Sequence, residues 1–470
     1  MKNLSLFLVA LVLVYLPGCF SLSKYFPFLK KQCFSQGLKP SYSCCKKCNI
    51  LYSDERGDWG IENRKWCGIK YKCYKDKDEK PVQDDTTIES PIQNNTATNN
   101  FEFSFLKIEN KKKNMLYSPL SIEYALHMLQ EGASGNTYTE INKVIGNKEL
   151  TKYKSIEKVL SLANGLFIRD TYYEGVKKEY IKTLEEKYEA DVVKEKFEDA
   201  QNTNEWIEDK TLGIIKNMIK DDLVQDPNMV MLIINALAID MEWAKSFSAD
   251  KTYGETFYLD NGKEMTATML FNKEVSSKAI SYYKSDDLTV LNMDLLDYDG
   301  IQFEFMAIMP KENLSAFVEN VTKEQINEIE KKLKLSSDVT DGVNVKIPKF
   351  KFNYDLDLKE DLKKLGINDA FNDRKANFSN MAKSNDIYVS DALHRADIEF
   401  TEKGVKAAAV TVFAMNLKSM PRPKNPVIVT IDKPFMFIIR DKNTKDIWFT
   451  GTLYEPNSWK DDKEDYEKSF

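Results

Sequence analysis

The residues of this 470-residue chain best suited to covalent chemistry are its seven cysteines, because nearly all of them fall in one short segment. Cys19 stands apart, and no cysteine follows residue 73. The other six are Cys33, Cys44, Cys45, Cys48, Cys67 and Cys73. Residues 33–73 are too few to hold together by a hydrophobic core alone, so this density predicts a disulfide framework. The sequence does not choose among the possible pairings.

Residues for catalysis are scarce. The chain has two histidines, His127 and His394, which excludes a histidine-rich metal site. We expect His127 at a helix edge, and His394 lies mid-strand without a nucleophile signature nearby. Motifs of the GxSxG, HExxH, GxxxxGK[ST] and GxGxxG types are absent from the sequence. The acidic run that begins at Asp54 lacks the ligand spacing of a calcium loop. We therefore expect no enzyme, no cofactor and no metal site.

The first residues indicate the compartment. Lys2 precedes the apolar stretch 4–16, and Cys19-Phe20-Ser21 then places small residues at the positions that a signal peptidase reads. This pattern predicts a secretory leader over residues 1–21, since the apolar stretch is too short to span a bilayer. Membrane anchorage and lipidation at Cys19 are the alternatives. An extracellular location agrees with the disulfide framework, and the net charge of −6 gives no case for nucleic acid.

One polar segment lies between the two ordered parts of the chain, and another follows the second part. Residues 74–100 are charged and then rich in Thr, Asn, Pro and Asp, without a hydrophobic period, which predicts a flexible linker. Asn94 begins a glycosylation sequon in this linker. Residues 458–470 form a polar tail. The chain therefore divides into a small module at 33–73 and a large domain at 101–457.

Helices dominate the early part of the large domain and strands the late part, which predicts an α+β fold. Ser118 and Pro119 mark a helix start. We expect further helices near residues 136–146, 176–190, 201–220, 322–334 and 356–365. A continuous apolar run at 229–239 predicts a central strand buried on both faces. Alternation at 301–309 predicts a half-exposed strand. The remaining strands are expected at 343–352, 387–400, 426–432, 434–441 and 446–456.

The stretch from Asp397 to Ser419 is unusual. It begins with strand-like alternation, passes through a charged turn at 402–404 and continues as small and β-branched residues. That continuation is too apolar for a solvated loop and too rich in alanine for an ordinary strand. It predicts a loop that can become a strand.

Widely separated motifs resemble the serpin family over the whole large domain. They are SPLSIEYALHML (118–129), GASGNTYTEI (132–141), NALAIDMEW (235–243), IPKFKFNYDLDLKEDLKKLGINDAF (347–371), NFSNM (377–381), IYVSDALHRADIEFTEKG (387–404) and DKPFMFIIRDKNT (432–444). The resemblance implies three β-sheets, about nine helices and an exposed reactive loop. It also implies a single-use trap, in which the cleaved loop inserts into the main sheet while the protease is still bound as an acyl-enzyme.

Insertion of a strand imposes a period of two on the loop. The hinge residues are Glu402, Gly404 and an inward-facing set consisting of Val405, Ala407, Ala409 and Thr411. None of the inward residues is charged, and Lys406 falls in the outward set. A buried charge would cost several kcal/mol, so the pattern favours an inhibitor. We assign to Gly404 the backbone freedom needed for the reversal.

The resemblance places the scissile bond between Lys418 and Ser419. A lysine before the bond suits a trypsin-like specificity pocket with a buried carboxylate. Leu417, Met420 and Arg422 are the alternatives, and they keep chymotrypsin-like and subtilisin-like proteases open as targets.

The module at 33–73 resembles the fungal dockerins, a cysteine-stapled family related to carbohydrate-binding modules. The motifs are CC-x-x-C, YSDERGDWGIEN and WCGI. The resemblance implies a small β-rich module whose docking face contains Tyr52, Asp54, Trp59 and Trp66. It also implies docking to the scaffold of a cellulosome, an extracellular cell-wall-degrading complex. Direct binding of polysaccharide is the alternative.

Together these features predict a secreted, monomeric inhibitor of serine proteases that is tethered to a cellulosome scaffold. Its partners would be a serine protease, held covalently, and the scaffold protein. A non-inhibitory serpin acting as a binding or structural component is the alternative.

Overall fold

The computed structural model describes residues 6–15, 33, 35, 42–47, 52–54, 57–62, 65–70, 100–384, 386–405 and 425–460. The chain divides into two compact units. One comprises residues 1–18 and 95–470, and the other comprises residues 19–94. They are described separately below.

The large unit contains nine α-helices among its described residues. They are α1 (Phe101–Ile108), α2 (Pro119–Gly132), α3 (Gly135–Ile145), α4 (Lys178–Tyr188), α5 (Gln201–Lys210), α6 (Asp221–Gln225), α7 (Leu314–Asn320), α8 (Lys323–Lys331) and α9 (Leu358–Lys364). The predicted start of α2 is confirmed, because the Ser118 side chain accepts a hydrogen bond from the Ser121 amide at 3.1 Å.

The helix predicted over residues 201–220 is too long. Helix α5 ends at Lys210, where the Thr211 hydroxyl donates to the Ile207 carbonyl at 2.6 Å. Leu212 and Gly213 then adopt left-handed backbone conformations with φ of 56° and 80°. A left-handed residue cannot continue a right-handed helix.

The strands run from β1 to β22 in chain order. They are β1 (Leu6–Tyr15), β2 (Tyr52–Asp54), β3 (Gly57–Glu62), β4 (Lys65–Gly68), β5 (Met115–Tyr117), β6 (Leu160–Arg169), β7 (Asp191–Glu195), β8 (Met229–Ile239), β9 (Met241–Glu242), β10 (Thr252–Tyr258), β11 (Glu264–Val275), β12 (Ile280–Lys284), β13 (Leu288–Tyr298), β14 (Ile301–Pro310), β15 (Lys334–Leu335), β16 (Val343–Pro348), β17 (Phe350–Asp357), β18 (Tyr388–Phe400), β19 (Gly404–Val405), β20 (Val427–Thr430), β21 (Phe435–Asp441) and β22 (Ile447–Leu453).

The large unit contains three sheets among its described residues, as predicted. The main sheet has the order β7-β6-β8-β1-β18-β19-β9, and β17 pairs with β18 beside this path. The second sheet has the order β10-β11-β16-β20, and the third β15-β12-β13-β14-β21-β22-β5. Strands β16 and β17 share the stretch predicted as one strand at 343–352, and each joins a different sheet.

Strand β8 is buried along its whole length, which confirms the predicted central strand. Its side chains divide between the main core and a second hydrophobic cluster on the other face of the sheet. It pairs with β6 on one side and β1 on the other.

The prediction that residues 301–309 form a half-exposed strand is wrong. The middle of β14 is buried on both faces, including Glu304 at 3% exposure. Glu304 accepts hydrogen bonds from Arg440 Nε at 2.7 Å and from Asn292 Nδ2 at 3.1 Å. A buried charge is tolerated when it is paired. Glu304 can therefore lie in a core strand, and the sequence of that strand then shows the alternation typical of a surface strand.

His127 lies inside the fold and not at a helix edge, since only 6% of it is exposed. Burial lowers the pKa of His127 to about 4, which keeps the imidazole neutral at physiological pH. No helix in the described part of the chain has the length and apolarity to cross a bilayer.

The small unit contains the three-stranded sheet β2-β3-β4. Disulfides join Cys33 to Cys44 and Cys45 to Cys67. Cys48 and Cys73 lie outside the described residues. The Glu62 side chain accepts hydrogen bonds from the amides of Lys46 and Lys47 at 2.8 and 2.7 Å, which fixes the chain after Cys45 to β3.

Candidate functional site

The candidate site begins where β18 ends. Along β18 buried and half-buried residues alternate as far as Phe400, and the chain then turns through residues 401–403. The turn is closed by the Thr401 amide, which donates to the Gly404 carbonyl at 3.0 Å. Glu402 accepts a hydrogen bond from the Thr252 hydroxyl at 3.0 Å, and its other carboxylate oxygen lies 3.5 Å from Lys349 Nζ. Glu402 therefore anchors the turn to the second sheet.

Trp243 holds the same turn through two hydrogen bonds. Its indole N–H donates to the Thr401 carbonyl at 2.9 Å, and its amide donates to the Lys403 carbonyl at 2.8 Å. Its ring centroid lies 5.0 Å from that of Phe400 and 5.9 Å from that of Phe305. The aromatic cluster and the two hydrogen bonds fix the direction in which the chain leaves the turn.

After the turn, β19 enters the main sheet between β18 and β9. Val405 is buried and lies opposite Phe400 on one side and Met241 on the other. A Cβ atom added to Gly404 would lie 2.1 Å from the Met241 carbonyl oxygen. The φ of Gly404 is not in the left-handed region. The glycine is thus required for this close approach, and the backbone freedom that we assigned to it for the reversal stays a prediction.

Strand β1 occupies the position directly beyond β19. It pairs antiparallel with both β8 and β18, which do not pair with each other. Its first residue, Leu6, lies opposite Ile239, and Phe7 lies opposite Ala238 and Asp397. The main sheet therefore accepts a ten-residue strand between β8 and β18. We call this position the insertion site.

Two buried polar residues flank the middle of the insertion site. Ala10 of β1 lies opposite Asn235 on β8 and His394 on β18. His394 Nε2 accepts a hydrogen bond from the Ser118 amide at 3.1 Å, so its proton is on Nδ1. Burial lowers the pKa of His394 to about 3, so the imidazole is neutral. His394 Nδ1 and Asn235 Oδ1 are buried without a hydrogen-bond partner among the described residues.

The sequence predicted part of this site. Glu402, Gly404 and Val405 lie together at the hinge. Ala407, Ala409, Thr411, Lys418 and Ser419, and the alternatives Leu417, Met420 and Arg422, lie outside the described residues, as does Asn94. Among the described residues no cluster suited to a metal ion occurs.

Sequence reasoning did not predict roles for Trp243, Asn235 or His394. Trp243 offered a signal, because it directly follows strands β8 and β9 and a large aromatic residue there needs a partner for its N–H group. His394 and Asn235 also interrupt apolar stretches, and a polar residue in a buried strand indicates a specific partner.

In the small unit, the predicted docking residues divide by exposure. Trp66 is 45% exposed, whereas Trp59 is 6% exposed and packs edge-to-face on Tyr42 at 5.1 Å between ring centroids. Trp59 therefore belongs to the interior, and its prediction as a docking residue is wrong. Tyr52 and Asp54 lie on strand β2. Tyr42, which we did not predict, is 39% exposed.

Comparison with known families agrees with this architecture. Residues 96–456 match the family described as serpin (serine protease inhibitor). The chain belongs to the serpin family. A serine protease inhibitor of Cyanea capillata is 31% identical over 376 residues, covering 75% of this serpin and 95% of the relative. A serpin-like protein of Thermococcus kodakarensis is 30% identical over 409 residues, covering 82% and 88%.

Solved structures of other serpins share the fold. Native protease nexin-1 with heparin superposes with a TM-score of 0.62 at 25% identity, covering 77% of this serpin and 98% of the other chain. The thermophilic serpin tengpin in its native state gives 0.62 at 26% identity, covering 80% and 97%. Residues 32–69 separately match a family described as a cellulose or protein binding domain.

Proposed function

We propose that this serpin is a secreted suicide inhibitor of serine proteases, and that its reactive loop inserts between β8 and β18 after cleavage. The observation that carries this proposal is the continuity between the hinge and the insertion site. Strand β19 already lies in the main sheet, and the sheet accepts a further strand directly after it. A loop that leaves Val405 in the direction of β19 needs no new turn to enter.

Extension of the β19 register gives an expected place for each residue of the inserted loop. In antiparallel ladders the partners advance one residue at a time. Because Val405 lies opposite Met241 and Phe400, Ala407 of the inserted loop would lie between Ile239 and Ile398. All four neighbours of these two loop residues are buried. The inserted face therefore joins the main core, where small uncharged side chains are required.

The extended register also gives an expected place for Lys406, the charged residue directly after β19. By continuation of the two ladders, Lys406 would lie between Asp240 on one side and Glu399 on the other. Both acidic side chains are half-buried, and an ammonium group between two carboxylates is attracted to both. Lys406 is thus compatible with insertion through charge pairing, in addition to its expected contact with water.

Trapping depends on a race between loop insertion and hydrolysis of the acyl-enzyme ester. Successive inserted residues add ladder hydrogen bonds alternately to the two neighbouring strands, and this gain drives displacement of the protease before the ester is hydrolysed. We propose Lys418-Ser419 as the cleaved bond, with a trypsin-like protease as the target. Leu417, Met420 and Arg422 remain as alternatives for chymotrypsin-like or subtilisin-like proteases.

For the small unit we propose a fungal dockerin function, which tethers the serpin to a cellulosome scaffold outside the cell. The match to a cellulose or protein binding domain and the exposed ring of Trp66 support a binding module. Polysaccharide binding is the second candidate, favoured by the same family description. Pull-down by scaffold extract and by cellulose, each with the wild type and with Trp66→Ala, separates the two. Binding to cellulose alone would contradict scaffold docking.

The inhibitory function is tested by incubating the secreted protein with trypsin-like and subtilisin-like proteases. We expect a covalent complex that survives denaturation, and mass spectrometry of the released peptide then identifies the cleaved bond. Complete cleavage of the loop without any complex would contradict the proposal. The alternative, a non-inhibitory serpin, predicts no rise in unfolding temperature after loop cleavage.

A further inference from the structure

The insertion site already contains a segment of this chain. Strand β1 fills the space between β8 and β18 over ten residues and forms ladders on both sides. Its sequence, LFLVALVLVY, contains no charged residue. This stretch lies within the leader predicted over residues 1–21, so one segment satisfies the requirements of an export signal and of a buried central strand.

Strand β1 and the reactive loop share one register. Leu6 lies opposite Ile239, which is the place that the β19 ladder assigns to Ala407. On the β18 side, Phe7 lies opposite Asp397, which is the place assigned to Ala408. The two ladders agree, so β1 begins two positions after Val405, where the inserted loop would continue. The two segments therefore cannot occupy the site together.

The two occupants differ at the middle of the site. Ala10 lies between Asn235 and His394, at the level assigned to Thr411. Alanine has no hydrogen-bonding group, and Asn235 Oδ1 and His394 Nδ1 lack partners there. A threonine hydroxyl both donates and accepts. Strand β1 thus brings no side-chain hydrogen-bonding group to this level, whereas the inserted loop would bring the hydroxyl of Thr411.

We propose that Leu6–Tyr15 is an autoinhibitory strand. While the leader is attached, it occupies the insertion site and prevents entry of the reactive loop, so the precursor is cleaved by proteases without trapping them. Removal of the leader opens the site. This inference rests on the inhibitory function proposed above, and its occupancy can be tested independently of that function.

Occupancy is tested with a pair of cysteines in the full chain, produced without export so that the leader is retained. Phe7→Cys with Ala238→Cys places two opposed residues on one face of adjacent strands, at a separation that a disulfide spans. We expect this pair to form a disulfide that peptide mapping identifies. The matched control, Leu8→Cys with Ala238→Cys, places the residues on opposite faces and should not cross-link. Absence of the first cross-link, or equal cross-linking of both pairs, would overturn the proposal.

The autoinhibitory role is tested by comparing three full chains against the same protease. Leu11→Pro removes an amide from the centre of β1, and proline is not tolerated in a central strand. Leu4→Pro, upstream of β1, is the matched control. We expect Leu11→Pro to form about tenfold more covalent complex than the wild type or Leu4→Pro.

The outcomes of the two experiments are distinguishable. Equal complex formation by all three chains contradicts autoinhibition while preserving the inhibitory function. Absence of complex from all three, and also from a chain that begins at Leu22, contradicts the inhibitory function itself, and the autoinhibitory role is then overturned with it. The cysteine pair still reports in that case whether β1 occupies the site.

Discussion

At the scale of single residues, the polar pair at the middle of the insertion site is the most specific feature. Asn235 is fixed by its Nδ2 group, which donates to Asn164 Oδ1 at 2.8 Å, and His394 is fixed by the Ser118 amide. Their remaining polar atoms, Oδ1 and Nδ1, are an acceptor and a donor. We predict that one hydroxyl at this level, that of Thr411 in the inserted loop, satisfies both atoms.

Replacement of that hydroxyl is the first test. Thr411→Val keeps the shape of the side chain but leaves the two polar atoms unsatisfied in the inserted state, at a cost of about 1–3 kcal/mol. We expect slower insertion, seen as a smaller fraction of covalent complex and a smaller rise in unfolding temperature after loop cleavage. Thr411→Ser, which keeps the hydroxyl, should behave as the wild type. Equal behaviour of the valine and wild-type proteins would show that the register is wrong.

The alternation along the loop gives a second test. Ala409 is assigned to the place between Leu237 and Ala396, both fully buried. Ala409→Arg should leave the uncleaved fold intact and convert the inhibitor into a substrate, because burial of an unpaired charge costs several kcal/mol.

The matched control for this test is Ala408→Arg, whose place lies beside the half-buried Asp397. Desolvation raises the pKa of Asp397 to about 6, so its carboxylate is ionised at neutral pH and can pair with the arginine. The control should retain more covalent complex than Ala409→Arg on denaturing gels. A reversed order would contradict the assigned faces.

At the scale of elements, the hinge is a short strand that depends on a glycine. Strand β19 contains two residues, and Gly404 fits only because it lacks a Cβ atom. The turn before it is held by Trp243 and Glu402 from two different directions. The start of the loop is therefore fixed at this point of the main sheet.

Substitution of Gly404 should release this hinge. Gly404→Ala forces a Cβ into the Met241 carbonyl, and we expect a loss of about 1–3 kcal/mol in unfolding free energy and faster amide exchange at Val405. Gly175→Ala serves as the control, because its φ lies outside the left-handed region and an added Cβ would meet only the Tyr172 ring, at 3.4 Å or more. A stability loss for the control as large as that for Gly404→Ala would contradict a specific role for the close approach.

The sequence predicted the elements whose patterns are local. The apolar run of β8, the alternation of β18 and the capped start of α2 each follow from neighbouring residues. It did not predict β14 as a buried strand, because Arg440, which pairs with Glu304, is distant in the chain. It likewise did not place residues 6–15 in the main sheet, since a leader and a central strand have the same composition.

At the scale of the whole molecule, covalent cross-links and the large core are segregated. Both described disulfides lie in the small unit, and no cysteine occurs after residue 73. The large unit therefore depends on its hydrophobic core and ladders. We therefore expect the small unit, and not the large unit, to be sensitive to reduction of disulfides.

Reduction provides the test of this segregation. Loss of the two disulfides removes about 2–4 kcal/mol each from a module with little core. We expect calorimetry with a reductant to abolish the transition of the small unit and leave that of the large unit unchanged. Protease trapping should also persist under reducing conditions, measured as covalent complex. A parallel loss of both transitions would contradict independent folding.

The ladder between β1 and β18 also has a consequence for timing. Phe7 pairs with Asp397, so β18 is synthesised long after β1. About 390 residues at about 5–20 residues per second correspond to roughly 20–80 seconds. A leader that is cleaved within this interval never meets β18. The rate of leader removal relative to translation would then decide whether the insertion site of a newly made molecule is open or occupied by β1.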